Sequence, residues 1–212
     1  MCGRVRLLSW DETFAVARRL QAQATYDDGL EWSGQARPGS LLPAFISSAS
    51  GNGADTQLSL SRFTWGYPFP DTGKLVYNSR IESAGSPLWA ESFAAGRSFV
   101  AIDAFFEPHH SETERNPHTG RMGKRAYEFC TPDGSPLLLG AVTHNGRISI
   151  VTTEPNASVA PVHPRMPLVL SFEEVPLWLG GEWPHLADRS AVELSCAPEH
   201  PSGDASEQLS LF

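Results

Sequence analysis

Ala126 to Thr153 reads AYEFCTPDGSPLLLGAVTHNGRISIVTT, and this stretch decides the fold class. Three runs rich in β-branched and aromatic residues, 126–131, 137–143 and 147–153, are separated by Pro132-Asp133-Gly134 and Asn145-Gly146. Both separators are turn signals, and Asn-Gly in particular favours a two-residue hairpin. The spacing therefore predicts an antiparallel meander. Upstream, Ser98 to Glu107 (SFVAIDAFFE) is a further apolar strand, and 41–48 and 58–67 supply two more. Helices are few. Ser9 and Glu12 form a capping box ahead of Trp10, Phe14, Ala17, Leu20 and Ala24 at helical spacing. Ser86-Pro87 reads as the start of a helix running through Leu88, Trp89 and Phe93 to a stop at Gly96, and 172–179 as a short helix. The expectation is a single α+β domain, mostly antiparallel sheet and barrel-like, flanked by a few helices. Residues 108–125 are polar and read as a long exposed loop or a hairpin tip.

Composition narrows the class. The chain has 212 residues, 41% hydrophobic and 19% charged, which suits one soluble globular domain. No apolar run reaches the roughly 20 residues of a membrane span. Three cysteines, Cys2, Cys130 and Cys196, in no paired spacing, argue against a disulfide framework or a zinc site and fit a reducing cytoplasm. His109, His110 and His118 lack close acidic or cysteine companions, so no metal is expected, nor any cofactor. The net charge of −8 means that any nucleic-acid contact must come from a local basic patch. Residues 197–212 are rich in Pro, Ser, Gly and acids and read as a flexible tail after a domain spanning 1–196.

Candidate chemistry starts at Met1-Cys2-Gly3-Arg4. Removal of Met1 leaves Cys2 with a free amine, pKa about 7.7–8.0, beside a thiol near 8.5. Glu107 closes the apolar run Phe105-Phe106, where partial desolvation raises a carboxyl pKa and suits it to acid–base work. His163 lies between Val162 and Pro164 on a stiff backbone, and Asn78 follows Val76-Tyr77.

Taken in order, MCGR at 1–4, Trp65-Gly66-Tyr67, Asn78-Ser79-Arg80-Ile81-Glu82-Ser83, Asp103-Ala104-Phe105-Phe106-Glu107 and His163-Pro164-Arg165-Met166-Pro167 resemble the SRAP domain family, SOS-response-associated proteins that shield abasic sites in single-stranded DNA. The family pattern is MCGR, WG, NAR-x-E-T, ADG-[FY]-[YF]-E-W and H-x-R-M-P, and the resemblance covers roughly residues 1–180. Four departures stand out: Ser79 for Ala, Ser83 for Thr, Ala104 for Gly, and Pro108 for the Trp after the glutamate. The resemblance implies that Cys2 crosslinks to an abasic-site aldehyde as a thiazolidine, with Asn78, Glu107 and His163 as partners and an AP-lyase side reaction. It implies DNA contacts from Arg4, Arg80 and Arg165, with Trp65 or Pro38 against the bases. The rival reading is an N-terminal-nucleophile cysteine amidohydrolase or peptidase, in which the Cys2 thiolate attacks an amide. At the other end Gln208, Leu209, Leu211 and Phe212, in QLSLF, are similar to the short peptides that dock bacterial repair proteins on the sliding clamp. The expected protein is a monomer, cytoplasmic and nucleoid-associated.

Overall fold

The computed structural model describes residues 2–24, 34–49, 56–69, 72–116 and 119–199. In chain order its elements are β1 (Val5–Leu7), α1 (Trp10–Arg19), β2 (Gln35–Ala36), β3 (Leu41–Ala49), β4 (Thr56–Trp65), β5 (Tyr67–Pro68), β6 (Leu75–Val76), β7 (Asn78–Arg80), α2 (Ala90–Ala95), β8 (Arg97–Arg115), β9 (Met122–Cys130), β10 (Leu137–His144), β11 (Arg147–Thr153), β12 (Met166–Pro167), β13 (Val169–Leu170), α3 (Val175–Leu179) and β14 (Ser195–Pro198). The fold is α+β, a single domain built on one large mixed sheet. Among the described residues no helix is long and apolar enough to cross a membrane.

β8 is the spine. Its first half pairs with β10 and β3, its middle with β1 and its outer half with β9, all antiparallel. Of the two hairpins predicted at 126–153 one forms, β10 against β11 across the Asn145-Gly146 turn; β9 does not pair with β10, because both instead pair with β8. Asn145 and Gly146 both take positive φ there, as a tight hairpin turn requires. β11 also pairs in parallel with β4 and β7, which is what makes the sheet mixed.

Alternation along the central strands sorts their side chains onto two faces. Val100, Ile102, Leu137, Leu139 and Ile150 join one apolar cluster, while Phe99, Ala101, Leu138, Val142 and Val151 join a second. The helices cover the second face: Val16 and Ala17 of α1, Phe93 of α2 and Trp178 of α3 all pack there. Cys2, Trp65 and Val162 belong to the first cluster, together with the half-buried Tyr77. Both faces are buried, so strand ends are where polar groups can be exposed to substrate.

Local readings hold in some places and shift in others. Ser9 Oγ accepts from the Glu12 backbone N–H at 3.3 Å while Glu12 Oε2 accepts from Ser9 N–H at 2.8 Å, completing the expected capping box. Helix α2 begins at Ala90, not at Ser86-Pro87, because Ser86 O first accepts from both Trp89 N–H and Ala90 N–H in a turn. It stops at Gly96, where a Cβ would lie 1.9 Å from Thr143 O. The strand expected over 166–170 is split at Leu168 into β12 and β13, which pair with β11 and β10 respectively. Of the two readings of 108–125 the hairpin holds and the long loop does not: β8 runs on to Arg115 and pairs antiparallel with β9 from Met122. His118 and the QLSLF peptide lie outside the described residues.

Candidate active site

Strand register brings the start of the chain to the end of the buried half of β8. Val5 pairs with Phe105, and Phe106 N–H donates to Arg4 O at 3.0 Å, so continuing the antiparallel register sets Gly3 opposite Glu107. Cys2 and Glu107 are both fully buried. Gly3, Arg4, Arg37, Tyr77, Phe106 and Glu107 line a cleft of about 400 Å³ at this point. The Cys2 Sγ lies 3.8 Å from Arg4 O.

Burial governs the acidity of both groups. It pushes the Cys2 thiol well above its ordinary value, and the Glu107 charge pushes it further. It raises Glu107 to about 7, against the opposing pull of the chain's terminal amine. At neutral pH the thiol is therefore protonated, and Glu107 is poised between its acid and base forms. Tyr77, also raised by burial, feels both the Glu107 and the Cys2 charge.

β7 delivers the next partner. Its parallel pairing with β11 puts Asn78 opposite Ile150, and Asn78 Nδ2 donates to Ile150 O at 3.4 Å. Asn78 Oδ1 is buried with no hydrogen-bond partner among the described residues, a ready acceptor for an N–H or O–H group. On the other side of β11 lies the 156–165 loop. Asn156 Oδ1 caps it by accepting from Ser158 N–H and Val159 N–H, each at 3.1 Å. His163 is half-buried, with Nδ1 3.0 Å from Arg165 O and 3.2 Å from Arg165 N. Burial lowers its pKa, which leaves a neutral imidazole at neutral pH. Glu107 and His163 both feel the charge of the Met1 amine.

The family model for SOS response associated peptidase (SRAP) matches residues 1–200. The chain belongs to the SRAP family. That membership supports a DNA-damage-associated function. Three solved structures share the fold: a Bacteroides thetaiotaomicron protein (18% identity, 94% of this chain and 93% of that one, TM-score 0.70), a Bordetella bronchiseptica protein (17%, 93% and 99%, 0.68) and a phage-related protein from the same Bordetella species (20%, 93% and 93%, 0.65). Comparison with curated proteins gave no significant match.

The SRAP motifs are physically joined. Arg165 of HPRMP bonds both Glu82 carboxylate oxygens of NSRIES, and also Glu154 Oε1 at 2.7 Å and Thr152 O at 2.9 Å. Glu82 is held below the usual carboxylate range chiefly by that hydrogen bonding. This clamp ties the His163 loop to the strand carrying Asn78. It also satisfies most of the nearly buried Arg165 guanidinium internally, which places Arg165 as a brace for the loop.

The other expected DNA contacts fare differently. Trp65 needs correcting: its ring is fully buried, its indole N–H donates to Tyr77 O at 2.9 Å, and it meets Tyr77 edge-on at 6.2 Å. It builds the wall behind Tyr77 and has no face left for a base. Arg4 stacks 4.1 Å over Phe106 and pairs with Glu199. Arg80 is exposed, and Pro38 is half-buried in a turn closed by Ser40 N–H to Arg37 O at 2.9 Å, with Gly39 at φ +94°. Pro108 lines the cleft in the place of the family Trp. Sequence reasoning missed Tyr77, Arg37 and Glu82 as parts of this region. The first was legible as the aromatic before Asn78 and the last as the acid inside the NSRIES motif; Arg37 carried no signal beyond its turn. Among the described residues no cluster of His, Cys, Asp and Glu suits a metal.

Proposed function

We propose that this protein captures abasic sites in single-stranded DNA by forming a thiazolidine with Cys2 once an aminopeptidase has removed Met1. The observation that carries this reading is the burial of Cys2 beside a Glu107 raised to about 7 at the start of the chain. A protonated thiol next to a terminal amine favours amine-first chemistry. The amine adds to the C1′ aldehyde, and Glu107 in its acid form protonates the carbinolamine hydroxyl, which leaves as water to give an imine. Glu107, now a carboxylate, accepts the thiol proton as sulfur adds to the imine carbon. The imine nitrogen, left protonated when the water departs, keeps that proton as the ring N–H, and Glu107 ends in its acid form, so the net loss is one water. Asn78 Oδ1 orients the amine, and the neutral His163 imidazole assists ring opening of the sugar. If the imine persists, the same histidine can remove a C2′ proton, giving strand cleavage by β-elimination.

Arg80, Arg37 and the Pro38 turn receive the flanking strand, phosphates to the arginines. A surface that accepts backbone and splayed bases reads little sequence. The domain ends later than the 1–196 read from the sequence, since β14 pairs through Pro198 and Glu199 N–H bonds Ala126 O; the tail beyond carries QLSLF to the sliding clamp, placing a monomeric protein on the nucleoid where abasic sites meet single strands.

The second reading, a peptidase, is favoured by the family's own description. It requires a ready thiolate, whereas here burial keeps the thiol protonated. One experiment decides between them. Met1-processed protein is incubated with an oligonucleotide bearing one abasic site and run on a denaturing gel after heating. A covalent band that Cys2→Ala removes supports capture, and its absence alongside amide hydrolysis refutes it. Deleting Gln208–Phe212 should abolish sliding-clamp binding in a pull-down and leave the band intact; unchanged clamp binding would overturn the tail assignment.

A further inference from the structure

The two ends of the described chain meet at the cleft. β14 pairs antiparallel with β9, Pro198 opposite Tyr127, and Glu199 N–H donates to Ala126 O at 2.9 Å. Glu199 is thus placed by strand pairing beside Ala126, which itself lines the cleft. Its carboxylate takes the Arg4 guanidinium side-on: Nη1 to Oε1 at 2.6 Å and Nη2 to Oε2 at 2.5 Å. Arg4 Nη1 also donates to Gln35 Oε1 at 3.3 Å, and its plane lies over Phe106. Both partners of the pair are largely covered, with side chains 15% and 18% exposed.

A guanidinium presents the same two-pronged face to a carboxylate and to a phosphodiester. Arg4 is at once a cleft-lining residue and the neighbour whose carbonyl holds the Cys2 Sγ and the Phe106 N–H. A phosphate bound to it would be held two residues along the chain from the nucleophile. That seat is filled by a carboxylate from the far end of the sequence.

We propose that Glu199 is a specificity-determining residue of the cleft: it occupies Arg4 in place of a backbone phosphate, so that a strand gains the site only by displacing it. The inference rests on the reading of the cleft as a single-strand site and adds a selection step to it. A polyanion that also engages Arg37 and Arg80 gains enough elsewhere to exchange one carboxylate for one phosphate; an isolated anion does not. The Glu199 carboxylate then moves to solvent, and no covalent change is involved.

The test separates this step from the chemistry. Binding of unmodified oligo-dT is measured by fluorescence anisotropy in the Cys2→Ala background of the full chain, over a salt series, with and without Glu199→Gln. Release of Arg4 should tighten binding about 3–10-fold with the log–log salt slope little changed, because Arg4 meets the same phosphate in both bound states. Arg4→Gln should cancel the gain in the double variant. Glu199→Ala, expected to match Glu199→Gln, guards against an idiosyncratic effect of the amide, and the charge-preserving Glu199→Asp should stay close to the parent. Unchanged or weaker binding in both Gln and Ala variants means that the pair is structural only, and overturns the proposal. Absence of oligo-dT binding in every variant overturns it too. If binding tightens as expected while the Cys2 protein forms no covalent band with abasic DNA, the occupancy of Arg4 stands and the capture chemistry falls. If the band forms and Glu199→Gln changes nothing, the reverse holds.

Discussion

Glu107, on the floor of the cleft, and Cys2, the residue before the cleft-lining Gly3, are fully buried, and burial holds both toward their uncharged forms. Arg37 at its mouth and Arg80, two residues past Asn78, are exposed and carry full charge into solvent. Between them stands Arg4, charged but already paired with Glu199. The difference teaches a division of labour. Apolar surroundings tune proton transfer on the floor, where a free charge would be costly to hold. Solvated cations at the rim supply long-range attraction, which tuning by burial would destroy. Floor variants should therefore alter chemistry and spare binding, and rim variants the converse.

The largest expected effect is that of Cys2→Ala. The covalent band should vanish entirely on a denaturing gel, while anisotropy with the same abasic oligonucleotide changes by about 2-fold or less, since only a buried sulfur is lost. A large fall in affinity would dissolve the distinction between floor and rim. Glu107→Gln comes next. It keeps the shape and removes the proton shuttle, so the single-turnover crosslinking rate should fall by about 10²- to 10⁴-fold, the usual contribution of a positioned acid–base group. A rate within about 3-fold of the parent would remove Glu107 from the mechanism.

How much of this division could be read from sequence depends on where a residue sits along β8. Val100, Ile102, Phe105 and Phe106 announce a buried strand by composition, and Glu107 stands out as the charge that ends it. The outer half, Pro108 to Arg115, is polar and reads as loop or hairpin tip, because strand patterning is legible only where one face is buried. Its pairing with β9 also resumes out of step: Pro108 meets Ala126 but Thr113 meets Lys124, so residues 109–112 bulge. His109 holds that bulge, Nδ1 accepting from Ser111 N–H at 3.2 Å and Glu112 N–H at 3.0 Å. Nothing in the local sequence encodes a bulge closed by a histidine ring. The Arg4–Glu199 pair was equally hidden, since its partners are 195 positions apart and only the β14–β9 pairing joins them. The motif residues were legible for the opposite reason: Asn78, Glu107 and His163 each interrupt an apolar or proline-stiffened segment, so their side chains stand out locally.

The third prediction takes the floor's burial as a stability term. The native Glu107 carboxyl keeps its proton up to about pH 7, whereas its ordinary value is 4.5. Between those values the unfolded chain has released a proton that the native state retains. Stability is therefore full below 4.5, declines as pH rises toward 7, and levels off above it. The loss across this window is about 3 kcal/mol. Glu107→Gln has no such term, so its stability relative to the parent should rise by about that amount between pH 4.5 and 8 in urea melts. A constant difference across the range would mean that Glu107 is solvated and ionised in the native state, and the carboxyl would lose its dual role.

The smallest effects belong to the rim. Arg37→Ala and Arg80→Ala each remove one exposed cation; Arg80 also acts on Glu82, whose chief partner is Arg165, so folding should change little. Affinity for unmodified oligo-dT should fall about 3–10-fold per variant at low salt, and the log–log salt slope should drop by about 0.7 each. The rate of crosslinking at saturating abasic DNA should not move, because the floor's proton chemistry is buried away from either guanidinium. That rate is the sharper measurement of the two. If Arg37→Ala slows it at saturation, the turn carrying Arg37, Pro38 and Gly39 does more than attract the strand: it holds the sugar against Cys2, and the boundary between floor and rim moves outward by one loop.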